Sequence, residues 1–334
     1  MANLSVKYMG MTLKNPIVVA SSRLASSEKS VKKCADSGVG AIVLKSIFEE
    51  QIIAESRKIT DASDLNIHPE AWDYIMQSNS EKEIDDYLRL IDFAKKETDI
   101  PVIASINCST DKGWTDFTKR IENAGADGIE LNLFILPTDY KKSGEEIESL
   151  YFRIVEKVTS KVSIPVALKI GAYFTNPIRM VYKLSKTPVS AIVIFNRFYR
   201  PDIDVENLSL VPSRIYSSPH EIAGPLRWIA LLSGDVECDI AGSTGAHSGL
   251  DVVKFILAGA SVAQVCSTLY INGLEHVGVM LDEISGWMER HKVGSLDEIR
   301  GKMSQANMDN PVSYERVQFM KAITFDKDDQ PEVF

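Results

Sequence analysis

A barrel of eight parallel strands with helices between them, the (β/α)8 fold, is the class this sequence predicts. Three observations carry it. Short runs of Val, Ile, Leu and Ala bounded by turn residues recur along the chain, as strands buried on both faces of a parallel sheet do. Stretches with apolar residues at helical spacing lie between them. A weak internal echo, SGVGAIVL, AGADGIEL and AGASVAQV, sets Gly38, Gly125 and Gly259 just ahead of a strand. Glycine there takes the left-handed conformation that ends many helices. Eight such units closing on themselves make the barrel. An open doubly wound sheet ranks below it, because no GxGxxG follows the first strand.

The elements follow in order. SVKYMGMTLKNP alternates polar and apolar residues around Gly10 and predicts a hairpin ahead of the first barrel strand, IVVAS at 17–21. The next strands are AIVLK closing on Lys45, PVIASIN on Asn107, GIELN on Asn132, PVALK on Lys169 and AIVIFN on Asn196. CDIAGS at 238–243 and VAQVCST at 262–268 complete the eight. Among the helices, 81–98 carries Ile84, Leu88 and Ile91 on one face, and 144–162 carries Ile147, Leu150, Ile154 and Val158. After Gly273 the spacing of Val277, Met280, Leu281, Ile284 and Met288 predicts a long closing helix, with a shorter one near 296–303. No low-complexity linker divides the chain, so residues 1–334 read as one domain.

Composition narrows the function classes. The 334 residues are 45% hydrophobic and 25% charged, ample for a core, and the net charge of -9 disfavours a nucleic-acid or anionic-membrane surface. MANLSVKYMGM has neither the charged start nor the apolar core of a signal peptide, and no apolar stretch is long enough to span a bilayer. Cys34, Cys108, Cys238 and Cys266 are far apart with no CxxC pair. They read as reduced thiols of a cytoplasmic protein rather than disulfides or metal ligands.

The chemistry is written at the strand ends. Five strands finish in Lys or Asn, and buried amides and ammonium groups are costly unless they meet partners. Recurring at one end of a barrel, they point to a shared site at the mouth. Residues two apart in a strand share a face, which sets Ser105, Ala167 and Ile194 beneath Asn107, Lys169 and Asn196. The layer below the polar ring is therefore expected to be small or apolar, suited to a flat aromatic ligand. Asn offers donors and an acceptor to the edge of a pyrimidine-like ring, and a lysine stabilises an anionic form of it, such as a reduced flavin. A second constellation, IAGSTGAHSG at 240–249, brings Gly242, Thr244 and Gly245 to the start of a helix, with CSTLY after the eighth strand. Loops after strands seven and eight are the usual phosphate site of such barrels. His247 reads as a loop residue, and no HExxH or zinc-like spacing occurs.

LKNPIVVASS, AIVLKS, PVIASIN, AGADGIELNL, IPVALKI, the strand ending in FN, and IAGSTG followed by DVVKFILAGA together resemble the dihydroorotate dehydrogenase family. The resemblance is to the soluble class 1 enzymes and to the flavin domain of dihydropyrimidine dehydrogenase, and it runs from about Leu13 to Tyr270. It implies an FMN-binding barrel that oxidises a dihydropyrimidine ring. It further implies that Ala20, Ser21, Lys45 and Ser46 touch the flavin, with Asn107, Asn132 and Lys169 around its ring. Gly224, Gly242, Thr244, Gly245, Cys266 and Ser267 are implied along the ribityl phosphate, and Asn132 and Asn196 facing the substrate. A homodimer is implied as well.

One departure stands out. The family brings a Cys or Ser base to the loop after the ELN strand, just before Pro-Asn, whereas this chain reads NLFILPTDY. Phe134, Ile135 and Leu136 have no group that accepts a proton. Thr138 stands at the family's substrate-binding Asn, and Asp139 is the nearest ionisable substitute base, in a 134–144 segment expected to move over the mouth. The family's other substrate loop is replaced by NIHPEAWDYI around His68, and Arg197 follows Asn196 where a small hydroxyl residue is usual. Arginine there either holds a substrate carboxylate or fills the pocket. The readings left open are dihydroorotate oxidation with Thr138, Asp139 or Tyr140 as base, oxidation of a different substrate, and a flavin protein without turnover. A Schiff-base aldolase-like barrel using Lys169 ranks last, because it leaves the Asn residues unexplained. With no Cys cluster for an iron–sulfur centre, a soluble oxidant or a partner subunit takes the electrons.

Overall fold

In the computed structural model, residues 2–48, 80–108, 115–133, 135–198 and 200–315 are described. Strands β1 (Val6–Tyr8) and β2 (Met11–Leu13) form the expected antiparallel hairpin. Met9 and Gly10 make its two-residue turn, both at positive φ, as the twist of a tight hairpin requires. The barrel strands are β3 (Ile17–Val19), β4 (Ala41–Val43), β6 (Val102–Cys108), β7 (Gly128–Leu133), β8 (Val166–Ile170), β9 (Ala191–Ile194), β12 (Asp239–Ser243) and β13 (Val262–Val265). Each is parallel to its neighbours, and pairing of β4 with β6 closes the ring. A short strand β5 (Ile47–Phe48) adds to β6 beyond the ring.

Helices α1 (Glu28–Asp36), α2 (Ser80–Glu97), α3 (Thr115–Asn123), α4 (Gly144–Thr159), α5 (Pro177–Ser185), α6 (Ala223–Leu232) and α7 (Gly249–Ala258) run between the strands. Ser27, Ser143 and Ser248 cap α1, α4 and α7, each side chain accepting a backbone N–H of the first turn. Gly38, Gly125 and Gly259 all have positive φ, so the sequence echo marks real helix ends. The core fills the barrel interior and the seam between strands and helices.

Three details differ from expectation. The eighth strand stops at Val265, because Cys266 breaks the strand dihedrals and α8 (Ser267–Asn272) begins at once. The long closing helix is α9 (His276–Arg290), but the shorter one is a single 3-10 turn, Leu296–Glu298. A second hairpin, β10 (Pro201–Asp204) with β11 (Ser209–Pro212), projects after β9 and escapes the sequence reading, since its apolar residues Ile203, Leu208 and Leu210 stay exposed and no buried face sets a period.

The first hairpin seals the amino-terminal end of the barrel. Tyr8 and Met9 are buried, and Met9 Cε packs where a Cβ on Gly128, the first residue of β7, would clash. Met9 N donates to Asp239 Oδ2 (2.8 Å) at the start of β12, and Ser261 Oγ donates to Asp239 Oδ1 (2.8 Å). Asp239→Ala would orphan a buried N–H and is expected to cost about 1–3 kcal/mol. A lower urea midpoint with an unchanged denaturant slope, and faster exchange of the Met9 amide, is the expected result.

Candidate active site

Strand register assembles the mouth. Asn107, Asn132 and Lys169 pair across β6, β7 and β8 and so stand at one level of adjacent strands. Asn196 follows β9, its N–H bonded to Ile170 O (2.8 Å), and its Nδ2 donates to Asn132 Oδ1 (2.9 Å). Lys169 is 5% exposed. Its Nζ donates to Gln264 Oε1 (2.8 Å) and lies 3.7 Å from Glu130 Oε1. Gln264 Nε2 in turn donates to Glu130 Oε2.

The expected small or apolar layer beneath is thus corrected at two positions. Glu130 lies two residues before Asn132 on the same face, and Gln264 reaches in from β13. An ammonium withdrawn from water needs a counter-charge and acceptors, and these two side chains supply them. Glu130 was legible in GIELN as the residue two before Asn132, but only the closed ring brings Gln264 to it.

The other end of the site is built from close backbone approaches. Beyond β12, Thr244 and Gly245 both have positive φ, 79° and 88°. A Cβ on Gly245 would lie 2.1 Å from Ile222 N, so only glycine fits. Thr244 Oγ1 donates to Phe195 O (3.3 Å), and Gly242 lies against the Phe255 ring with no room for a side chain. Ser267 opens α8 and its Oγ accepts Ser217 N–H (2.9 Å). Ser217 Oγ shares a hydrogen bond with His247 Nε2 (3.1 Å), and burial holds the His247 imidazole below its usual pKa against the pull of Asp251. Asp251 also accepts the backbone N–H of His247 (3.0 Å), an acidic partner the sequence reading missed. Burial pushes the Cys266 thiol up, with Ser22 and Lys169 opposing, so it stays a neutral wall group.

A cavity of about 190 Å³ joins the two ends. Of the residues singled out in the sequence, Ala20, Ser21, Lys169, Asn196, Arg197, Thr244, Gly245, Cys266 and Ser267 line it. Gly224 lies instead on an adjoining cavity of about 390 Å³ that shares Asn196, Arg197 and Thr244. Ser46 sits behind Ser21, in a chain of hydroxyls running Ser21, Ser46, Ser105 at 2.9 and 2.8 Å. Lys45 is exposed and lines a separate groove with Glu28 and Asp86.

Thr138 and Asp139 are exposed and line none of these cavities. Asp139 is occupied in a turn, where Oδ1 accepts Lys141 N–H (3.0 Å) ahead of the Ser143 cap. Ile135 packs against the core and Leu136 is exposed, while Phe134 and the segment around His68 lie outside the described residues. Among the described residues no cluster of His, Cys, Asp and Glu could hold a metal ion.

Arg197 lines the cavity, yet most of its donors point away from any ligand. Nε meets Glu221 Oε1 (3.1 Å), Nη1 meets Ile215 O (2.9 Å), and Nη2 meets Arg214 O (2.9 Å) and Tyr216 O (3.4 Å). The contacts it makes are those of a clamp on the 214–216 backbone, with loop carbonyls and Glu221 as partners. Burial disfavours the Glu221 charge, but the Ser218 N–H, Arg197 and Arg200 outweigh it and hold its carboxyl below the usual range. A lowered folded pKa means stability that is present above the ordinary carboxylate value and lost as pH falls through the lowered one. Arg197→Ala is expected to cost about 2 kcal/mol, to speed exchange of the Ser217 amide, and to weaken this acid-dependent loss. Unchanged exchange at Ser217 would refute the clamp.

The sequence profile of the family described as "Dihydroorotate dehydrogenase" matches residues 3–288. Among curated proteins, the chain is similar to "Dihydroorotate dehydrogenase B (NAD(+)), catalytic subunit" of Thermoplasma acidophilum, 27% identical over 311 residues, covering 90% of this chain and 99% of that protein. The namesake subunit of Pyrococcus furiosus is 22% identical over 313 residues, covering 90% and 98%. It is also similar to the chloroplastic "Dihydropyrimidine dehydrogenase (NADP(+))" of Arabidopsis thaliana, 24% identical over 331 residues, covering 91% and 77%. With the profile spanning most of its length and a closed parallel barrel bearing the Asn and Lys side chains at its mouth, the chain belongs to the dihydroorotate dehydrogenase family.

Proposed function

We propose that the chain is an FMN-dependent oxidoreductase that removes hydrogen from a CH–CH bond of a dihydropyrimidine, with dihydroorotate or a close relative as substrate. One observation carries the reading: a buried ammonium and the Asn196 amide, itself bonded to Asn132, face the same cavity as the Thr244–Gly245 turn and the start of α8. The first pair of groups matches the polar edge of a flat heterocycle, the second a phosphate. The residues present fit the cofactor, since the positive-φ Thr244–Gly245 turn lines the cavity with backbone and Ser267 adds a hydroxyl at the start of α8. Bound there, FMN supplies the hydride-accepting chemistry.

In this reading Lys169 places a fixed positive charge at the ring edge, and Asn132 with Asn196 orients the substrate. Asn107, at their level on β6, extends the amide row. Thr244, Gly245 and Ser267 hold the phosphate end, with Gly224 and Gly242 shaping the wall behind. Ser46 backs the site on the β4 side through its hydroxyl bond to Ser21, and Lys45 reaches the ring only by swinging in from its neighbouring groove. The Schiff-base alternative is disfavoured, because Lys169 Nζ is engaged by Gln264 and Glu130 and that reading leaves the amides at the mouth unexplained. Thr138 and Asp139 take part in proton removal only when the segment around them folds over the mouth. A soluble acceptor or partner subunit takes the electrons, and we place the protein in the cytoplasm as a homodimer.

The test is direct. Purified protein, or apo-protein given FMN, should show a bound flavin spectrum; a protein that binds none would overturn the proposal. With no Cys or Ser base at 134–136, anaerobic reduction by dihydroorotate should be slowed by roughly a hundred- to ten-thousand-fold relative to an enzyme with a positioned base. Asp139→Asn should slow it further. A fast reaction insensitive to Asp139 would remove that residue from the mechanism, and complete inertness would point to another substrate or to a flavin protein without turnover.

A further inference from the structure

We propose that Glu130 is a positioning residue that acts through Lys169, reaching across the barrel lumen to hold the ammonium at the mouth. The inference deepens the proposed function and rests on it, since that reading sets Lys169 against the flavin edge. Strands β7 and β13 are not neighbours; β8, β9 and β12 lie between them on one side. The hydrogen bond from Gln264 to Glu130 therefore spans the interior of the barrel.

Donor chemistry orients this bridge. An ammonium can only donate and a carboxylate can only accept, so the Gln264 amide must present its oxygen to Lys169 and its nitrogen to Glu130. Glu130 Oε1 adds a direct electrostatic contact at 3.7 Å, beyond hydrogen-bond reach of Nζ. The lysine and glutamate side chains are 7% and 1% exposed, so bulk water screens neither charge. Lys169 and Gln264 line the cavity and Glu130 does not, which leaves those two side chains as its route to a ligand. Beneath, burial and the nearby carboxylate push the Tyr8 phenol well above its usual range, so the floor of this column stays neutral. Glu130 and Lys169 thus face one another as opposite charges within this column.

Glu130→Gln keeps the shape and removes the charge. In titrations of the apo-protein with FMN, this variant should raise Kd about tenfold and move the bound flavin's midpoint potential in the same direction as Lys169→Ala. In a Lys169→Ala background the same substitution should change Kd less than about twofold, because its route is gone. Equal effects in both backgrounds, or none in either, overturn the proposal; a residue that only props the fold would lower Tm without this coupling. A cofactor-free readout separates failure here from failure of the FMN reading. Cyanate carbamylates free amines and not ammonium groups, so labelling of Lys169 in the apo-protein, followed by mass spectrometry, should be at least about threefold faster in Glu130→Gln. Unchanged labelling overturns the proposal whether or not FMN binds. If Glu130→Gln does not fold, Glu130→Asp, which retracts the carboxylate by one methylene, takes its place with the same expected direction.

Discussion

The ammonium of Lys169 lies in a lumen nearly closed to water, and the rest of the site follows from how that charge is accommodated. A lone buried cation is too costly to keep, so the interior has to give up apolar volume to a carboxylate and an amide. Glu130 and Gln264 fill that need from opposite strands, with three others between them on either side, which ties two sides of the barrel together just below its mouth. The same bridge leaves a directed positive charge facing the cavity, while Asn132 and Asn196 satisfy one another beside it. Stability and chemistry thus draw on one set of buried polar contacts.

The two ends of the cavity obey different rules. At the ring end, side chains project from strand ends whose register is held by the sheet, so donors and acceptors are placed by the barrel itself. At the other end the wall is built largely from backbone, through a positive-φ turn and a helix start. Arg197 joins the two, gripping the 214–216 carbonyls so that Ser217 meets Ser267 and His247.

Membership in the dihydroorotate dehydrogenase family makes the region after β7 the most informative departure. Where the family sets a Cys or Ser, this chain has apolar residues, and the polar residues that follow are exposed and engaged in a turn. The barrel therefore places the buried charge and amides at its mouth, while Thr138 and Asp139 stand on an exposed segment that lines none of the cavities described.

What the sequence determined by itself was the periodic part. Eight short apolar runs, the glycines that end helices and the Lys and Asn residues at strand ends are local signals, and local sterics and burial decide them. The fold, the Lys169 and Asn196 ends and the Thr244–Gly245 turn follow from such signals. Only the tertiary structure decided which of these groups share a cavity. It set Lys45 in a separate groove, turned Arg197 into a clamp, and brought Gln264 to Glu130, residues 134 positions apart. The physical reason is that ring closure and side-chain pairing are long-range choices: a buried charge selects its partner by distance across the lumen, which spacing along the chain does not encode.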